Sequence, residues 1–209
     1  MSSTERFINN KNDLRTFLEA ESKRYGIKNI KIPIFAISEN QVLWKHIALL
    51  RKTEYYVNTG SRIVSLLYRY RLRNIQRKYC LRIPLNVFDC GLKIMHLGPV
   101  SASADARVGK HCTLHMYSAL VAGGTNDYAP TLGDGIIVSI GAIILGNVIL
   151  ADNTVIGANA LVNKSFTESD ITIAGVPAKK ISNSGSTTWR KDSRDKKNNE
   201  FEDESCSHH

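Results

Sequence analysis

A strict six-residue repeat between Leu132 and Val162 limits what this chain of 209 residues can fold into. An aliphatic residue opens each hexad, at Leu132, Val138, Ile144, Leu150, Ile156 and Val162. The fifth positions are Ile136, Ala142, Val148, Thr154 and Ala160. A helix would show a period of 3.6, whereas three hexads close a triangular coil in which equivalent positions stack. The repeat therefore predicts a solenoid of short parallel strands with the aliphatic side chains inside. The alternative is an ordinary pair of buried strands with glycine turns.

The same frame extends backwards from Leu132. Counting in sixes reaches Leu120, Leu114, Val108 and Ala102, so we expect the solenoid to begin near residues 84–90. One hexad breaks the rule, because Asn126 opens it and Pro130 follows. We predict that residues 124–131 leave the prism as a surface loop, the kind of segment in which function concentrates.

Three helices are predicted ahead of the solenoid, over residues 1–25, 39–51 and 59–79. The third has an apolar side, formed by Ile63, Leu66, Leu67, Tyr70 and Ile75, and a basic side, formed by Arg62, Arg69, Arg71, Arg73, Arg77 and Lys78. Charged sides of surface helices normally face solvent, so the favoured interpretation packs the apolar side on a neighbouring domain. The other interpretation is weak peripheral association with an anionic membrane.

The predicted helices and solenoid divide the chain into three regions. Residues 1–82 form an N-terminal helical region, residues 83–181 form the β-solenoid domain, and residues 182–209 form a polar tail of disordered composition. The closing pair His208-His209 is either native or a cloning remnant, and we assign no site to it.

Composition restricts the partners and the compartment. The net charge of +9 and the pI of about 9.4 permit an anionic partner, although scattered cations can simply provide solubility. We expect no nucleic-acid partner. The N-terminus is polar and carries no secretory signal, and the four cysteines form no C-x-x-C pair. Disulfides are therefore not expected, and the predicted location is the cytoplasm. If the basic helix over residues 59–79 binds an anionic membrane, the protein would lie at the inner face of that membrane.

The histidines supply the candidate chemistry. His96 lies between Gly91 and Gly98, where backbone can approach a ligand closely. A strict hexad count points His96 inward, so either the frame slips there or His96 is structural. His111 and His115 are four residues apart, but on a β-solenoid this spacing does not bring two ligands together. Zinc would need His96 as the third ligand, and we expect no metal.

Together these stretches resemble the hexapeptide-repeat acyltransferases. The resemblance rests on the hexads, on Gly91-Leu-Lys-Ile-Met-His96 and on the ending Ala174-Gly-Val-Pro-Ala-Lys-Lys-Ile181. It covers about residues 54–181 and is greatest to the serine acetyltransferase-like group, which includes sugar and polysaccharide O-acetyltransferases. It implies a mainly β fold built on a left-handed parallel β-helix, a homotrimer, and acetyl-coenzyme A as co-substrate between neighbouring prisms.

The resemblance also implies roles for individual residues. His96 stands twelve residues ahead of Val108-Gly109, where the family has the general base that deprotonates the acceptor hydroxyl. His111, His115 and Asp89 are accessory candidates. The implied cofactor-binding positions are Gly141, Ala142, Ala158, Ala174, Gly175 and Pro177, with Lys179 and Lys180 at the phosphates.

Two departures from the group bear on the acceptor. Serine acetyltransferases carry Arg-His-Pro ahead of their Ile-Gly-Asp-Gly element, whereas this chain has Tyr128-Ala129-Pro130. Their aspartate fifteen residues before the catalytic histidine is replaced by Leu81. We therefore expect an acetyl-coenzyme A-dependent O-acetyltransferase acting on a hydroxyl of a sugar or surface polysaccharide. The alternatives are a serine O-acetyltransferase of cysteine biosynthesis, a non-catalytic trimeric scaffold and a zinc-dependent γ-carbonic anhydrase-like protein.

Overall fold

The computed structural model describes residues 8–123 and 128–189. Three helices come first, α1 (Lys11–Arg24), α2 (Glu39–Asn58) and α3 (Arg62–Tyr79), and a short helix α4 (Ser186–Trp189) comes last. Among the described residues, fourteen short strands lie between α3 and α4. Within the described ranges, no helix is both long and apolar enough to span a bilayer.

The strands form three sheets, and within each sheet most neighbouring strands are three apart in chain order. The first contains β1 (Leu81–Arg82), β3 (Val100–Ala102), β6 (Ala119–Val121), β9 (Ile143–Leu145) and β12 (Leu161–Val162). The second contains β4 (Arg107–Val108), β7 (Thr131–Leu132) and β10 (Ile149–Leu150). The third contains β2 (Lys93–Ile94), β5 (Thr113–Leu114), β8 (Ile137–Val138), β11 (Val155–Ile156), β13 (Thr172–Gly175) and β14 (Ala178–Ser182). All pairs are parallel except the closing pair β13–β14, so the predicted β-solenoid is confirmed.

The hexad positions form the core of this prism. Leu132 pairs with Leu150, Val138 with Ile156 and Ile144 with Val162, so the members of each pair are separated by three hexads. All six opening aliphatics and all five fifth-position residues are at most 1% exposed. The inward ladders predicted from the repeat are therefore correct.

The irregular hexad is excluded from the ladders. Val108 pairs with Leu132, Leu114 with Val138 and Leu120 with Ile144, so these partners are separated by four hexads instead of three. The extra residues lie between β6 and β7, where the Gly123 N–H donates a 3.2 Å hydrogen bond to the Tyr128 carbonyl. The predicted segment 124–131 ends one residue earlier, at Pro130, because Thr131 already lies in β7. Residues 124–127 of the predicted loop lie outside the described residues.

A second register change occurs near His96. Ile94 pairs with Leu114, and Ile94 instead of residue 96 takes the inward position at 0% exposed. The frame therefore slips by two positions relative to a strict count of three hexads, and the His96 side chain is 49% exposed. The slip answers the question that the hexad count left open, since His96 lies on the surface.

A buried ionic cluster fixes the helices against the first coil. The Arg51 side chain is 1% exposed, and its guanidinium lies 2.6 Å from Glu21 Oε1 and 2.9 Å from Glu54 Oε2. It also donates to the carbonyls of Phe88 and Asp89, at 2.9 Å each. Helices α1 and α2 and the residues after β1 therefore share one set of charge-assisted hydrogen bonds.

Helix α3 presents its apolar residues to solvent instead of to a neighbour. Ile63, Leu66, Leu67 and Tyr70 are 50–85% exposed. Ser65 and Leu72 form the buried side, and Ile75 is only partly covered. The favoured sequence interpretation, in which the apolar side packs on the rest of the chain, is therefore wrong for these four residues.

The structure corrects three further expectations, on the start of the first coil, on the start of the tail and on the disulfide. The first coil begins at Leu81, ahead of the predicted start at residue 83. The predicted disordered tail begins too early, because Ser182 ends β14 and Ser186–Trp189 forms α4. The rest of that tail, with His208-His209, lies outside the described residues. Cys90 is buried and disulfide-bonded, contrary to the expectation that no disulfide forms.

Candidate active site

The parallel strands of the third sheet end along one edge of the prism. Their register runs from Ile94 through Leu114, Val138 and Ile156 to Ile173. The residues at or just after these strand ends define what we call the His96 edge: His96, Tyr117, Gly141, Ala158 and Gly175. Successive coils are about 4.8 Å apart, so His96 and Gly141 are roughly 10 Å apart along this edge. The edge therefore collects the predicted base and predicted cofactor positions that are distant in sequence.

His96 is paired with a carboxylate from the helical region. Its Nδ1 lies 3.4 Å from Glu39 Oε2, and the other carboxylate oxygen accepts a 2.7 Å hydrogen bond from the Leu97 N–H. The Leu97 N–H is the main cause that lowers the Glu39 pKa, and His96 lowers it further. Glu39 is thus ionised near neutral pH and can orient the imidazole ring.

The first turn of α2 positions Glu39. Ser38 is the N-cap, and its hydroxyl accepts from the Gln41 N–H while Gln41 completes the capping box. Sequence reasoning did not identify Glu39, because 57 residues separate it from His96 and the capping box indicates only a helix start. The carboxylate position expected from the family, occupied by Leu81, is buried in the first sheet.

His115 lies one coil beyond His96, just after β5. Burial is the main cause that lowers the His115 pKa, and the nearby charges of His96 and Lys93 act in the same direction. His115 is therefore neutral at pH 7. Its electrostatic interaction with His96 is the structural reason to keep it as an accessory candidate.

His111 lies at the opposite edge of the same sheet, before β5. Its ring packs against Gly91, where an added Cβ would lie 2.5 Å from His111 Nδ1. The four-residue separation from His115 corresponds to about 13 Å along a strand. An accessory role for His111 is therefore not supported. Within residues 8–123 and 128–189, no group of three histidine, cysteine, aspartate or glutamate side chains could hold a metal ion.

Asp89 is engaged by its own neighbours. Its carboxylate accepts a 2.6 Å hydrogen bond from the Cys90 N–H, and its carbonyl accepts from Arg51. The carboxylate that contacts His96 is Glu39. Asp89 is therefore replaced by Glu39 as the accessory candidate.

The cofactor candidates separate into exposed and buried positions. Ala158 and Gly175 are exposed, and Gly141 is half-buried in a left-handed turn with a φ of 70°. Ala142 is 0% exposed, because its methyl group points into the prism. Ala142 can therefore border the edge only through its backbone, and its assignment to the cofactor site stays a prediction.

The remaining cofactor candidates surround the closing hairpin. Ala174 lies in β13, and Pro177 lies exposed in the turn before β14. Lys180 forms an ion pair with Glu168, so part of its charge is already neutralised. Lys179 is an exposed cation on the same strand.

Comparison with curated proteins finds two sequence relatives, and both are named serine acetyltransferases. A serine acetyltransferase of Synechococcus elongatus is 34% identical over 99 residues, covering 46% of this chain and 39% of the relative. A serine acetyltransferase of Buchnera aphidicola is 28% identical over 137 residues, covering 63% of this chain and 48% of the relative. The crystal structure of Brucella abortus serine acetyltransferase in complex with coenzyme A superposes with a TM-score of 0.62 at 22% identity, covering 83% of this chain and 68% of that one. No family model matches the chain.

The chain resembles serine acetyltransferases. The resemblance proposed from the hexads, the stretch ending at His96 and the Ala174–Ile181 ending is confirmed. At 22% identity, the structural likeness to the Brucella enzyme establishes the fold alone. The chain spans less than half the length of the two curated serine acetyltransferases.

Proposed function

We propose that this chain is an acetyl-coenzyme A-dependent O-acetyltransferase with His96 as its general base. The observation that carries the proposal is the His96–Glu39 pair, exposed at 49% and 45%, on the edge that also holds Gly141, Ala158 and Gly175. A surface imidazole with one nitrogen facing a carboxylate has its other nitrogen available for substrate.

The reaction follows from this geometry. Glu39 accepts the Nδ1–H of His96, which leaves Nε2 unprotonated and able to take the proton of an acceptor hydroxyl. The hydroxyl oxygen then forms a bond to the thioester carbonyl carbon, and the carbon–sulfur bond breaks when the tetrahedral intermediate collapses. The proton on Nε2 passes to the departing thiolate, so that the products are the acetyl ester and free coenzyme A. The exposed negative charge of Glu39 stabilises the transient imidazolium.

The His96 edge can bind an extended acyl carrier such as acetyl-coenzyme A along its length. Three of its residues, Gly141, Ala158 and Gly175, are small, so a thin chain can lie against these turns without a clash. Four coils separate His96 from Gly175, roughly 19 Å, and Lys179 near that end supplies a charge for phosphate. A left-handed coil and a homotrimer whose neighbouring subunit closes the cleft are part of the proposal.

The proposed acceptor is L-serine. Both sequence relatives are named serine acetyltransferases, which favours serine over the sugar or polysaccharide hydroxyl expected from the sequence. One observation supports a larger acceptor, which is the second candidate. Exposed Tyr128 stands where the group has the arginine ahead of its second histidine, and Ala129 replaces that histidine.

Release of coenzyme A thiol from acetyl-coenzyme A tests the proposal. Saturable turnover with L-serine, and none with D-serine, is the expected result. Turnover only with nucleotide sugars or polysaccharide would replace serine by the second candidate. If calorimetry detects no binding of acetyl-coenzyme A, the transferase proposal is wrong and the scaffold alternative gains support.

Glu39 is expected to act as a positioning residue for His96. Glu39→Gln keeps the side-chain shape and an oxygen for the Leu97 N–H but removes the negative charge. We expect kcat to fall about tenfold with little change in the KM for acetyl-coenzyme A, since an exposed pair is partly screened by solvent. Steady-state kinetics with the preferred acceptor measures both constants.

Glu19→Gln is the matched control for this variant. It removes a carboxylate that is 43% exposed and paired with Arg15, away from the His96 edge. Equal kcat values for Glu39→Gln and wild type would show that the carboxylate has no part in turnover.

A further inference from the structure

The outward side of α3 is an amphipathic surface that no element of residues 8–123 and 128–189 covers. Ile63, Leu66, Leu67 and Tyr70 recur at helical spacing and are 50–85% exposed. Cations flank this stripe along the whole helix, at Arg62, Arg69, Arg71, Arg73, Arg77 and Lys78, and all six are exposed. An apolar stripe bordered by cations is the arrangement of helices that lie in a membrane interface.

The segment between α1 and α2 continues this surface. Ile34, Phe35 and Ile37 are 83–93% exposed. This segment, α2 and the C-terminal half of α3 form a groove of about 740 Å³, lined by the cations Lys31, Lys45, Lys52, Arg71 and Lys78 and by no acidic residue. The α3 face, defined as the outward side of α3 with residues 31–37, therefore combines protruding apolar groups with a cationic groove.

The α3 face has no compensating negative charge of its own. The sequence contains no aspartate or glutamate between Ser22 and Ser38 or between Tyr55 and Phe88. Among the described residues, neither Lys52 nor Arg71 has a carboxylate partner. An occupant of this face must accordingly be both anionic and apolar.

We propose that the α3 face docks the protein on an anionic phospholipid surface. The headgroups supply the negative charge that the groove lacks, and the acyl region accepts Leu66, Leu67, Ile34 and Phe35. The docking is peripheral, since no described helix can span a bilayer. It is independent of acetyl transfer and of the acceptor.

A second copy of the chain fits the same face less well. A two-fold symmetric contact, in which both partners use the same patch, would bring the six cations of α3 against six more with no acid between them. Like charges facing each other in a contact are unfavourable. A lipid surface removes this repulsion.

Flotation of the full chain with vesicles tests the proposal. We expect binding to vesicles of phosphatidylcholine mixed with phosphatidylglycerol, little binding to phosphatidylcholine alone, and release when salt rises from about 0.15 M to about 1 M. Arg71→Glu/Lys78→Glu should weaken partitioning at least about 25-fold, because each cation near an anionic surface contributes roughly fivefold. Leu66→Ser/Leu67→Ser, which keeps every charge, should weaken it roughly tenfold.

Lys11→Glu/Lys164→Glu changes the net charge equally at exposed positions outside the α3 face and should retain most of the binding. Equal losses in both charge variants would indicate non-specific attraction and overturn the proposal, as would absence of binding to the anionic vesicles. Light scattering without lipid tests whether a second copy of the chain covers the α3 face instead. If Leu66→Ser/Leu67→Ser reduces the oligomer mass, the α3 face is an interface between copies of the chain and the membrane proposal is wrong.

Circular dichroism confirms that each variant keeps its helices.

Discussion

Replacing His96 with glutamine is expected to lower kcat for acetyl transfer by about 100- to 10,000-fold, the range for loss of a general base. The KM for acetyl-coenzyme A should change little, because His96 acts on the acceptor proton in the transition state and not on the bound thioester. The side chain is half exposed and lies outside the core, so the fold should be retained. Thiol release at saturating acceptor measures the effect.

His111→Gln is the matched control for the His96 variant. It makes the same chemical change at the opposite edge of the same sheet, about 13 Å from His115 along the strand direction. Near-normal kcat is expected for this variant. A His96→Gln protein that releases thiol as fast as wild type would remove His96 from the mechanism, whereas a large loss in His111→Gln would return His111 to the site.

Arg51→Met is expected to lower the free energy of unfolding by about 3–5 kcal/mol, because it leaves two buried carboxylates without their cation. Glu21 and Glu54 are 0% and 2% exposed, and both contact the guanidinium directly. The hydrogen bonds to the carbonyls of Phe88 and Asp89 are lost as well, which loosens the contact between α2 and the first coil. Urea unfolding followed by circular dichroism measures the difference.

Two further variants separate the buried cluster from ordinary ion pairs. Arg15→Ala breaks the exposed pair with Glu19 and should cost no more than about 0.5 kcal/mol. The triple variant Arg51→Met/Glu21→Gln/Glu54→Gln removes all three charges and should recover much of the stability lost by Arg51→Met alone. A loss below about 1 kcal/mol in Arg51→Met would mean that water or rearrangement compensates the carboxylates.

The prism was determined by the sequence itself. The period of six specifies which side chains point inward, and all the hexad aliphatics from Leu132 to Val162 are buried in ladders. The break at Asn126 likewise predicted that one hexad is left out of the ladders, because a polar hexad cannot occupy an apolar core. These features are local in sequence, since each coil contacts only its neighbours.

The site and the surface of α3 were decided only by the tertiary structure. Glu39 reaches His96 because α2 begins beside the first coil, and no periodic pattern links residues 57 apart. The slip that exposes His96 depends on how β2 stacks on β5, and a strict count of hexads places His96 inside. The sequence periodicity predicted the apolar stripe of α3, but its outward orientation depends on which side of the helix the rest of the chain covers. Periodicity reveals which residues share a face, whereas packing between distant segments decides what that face contacts.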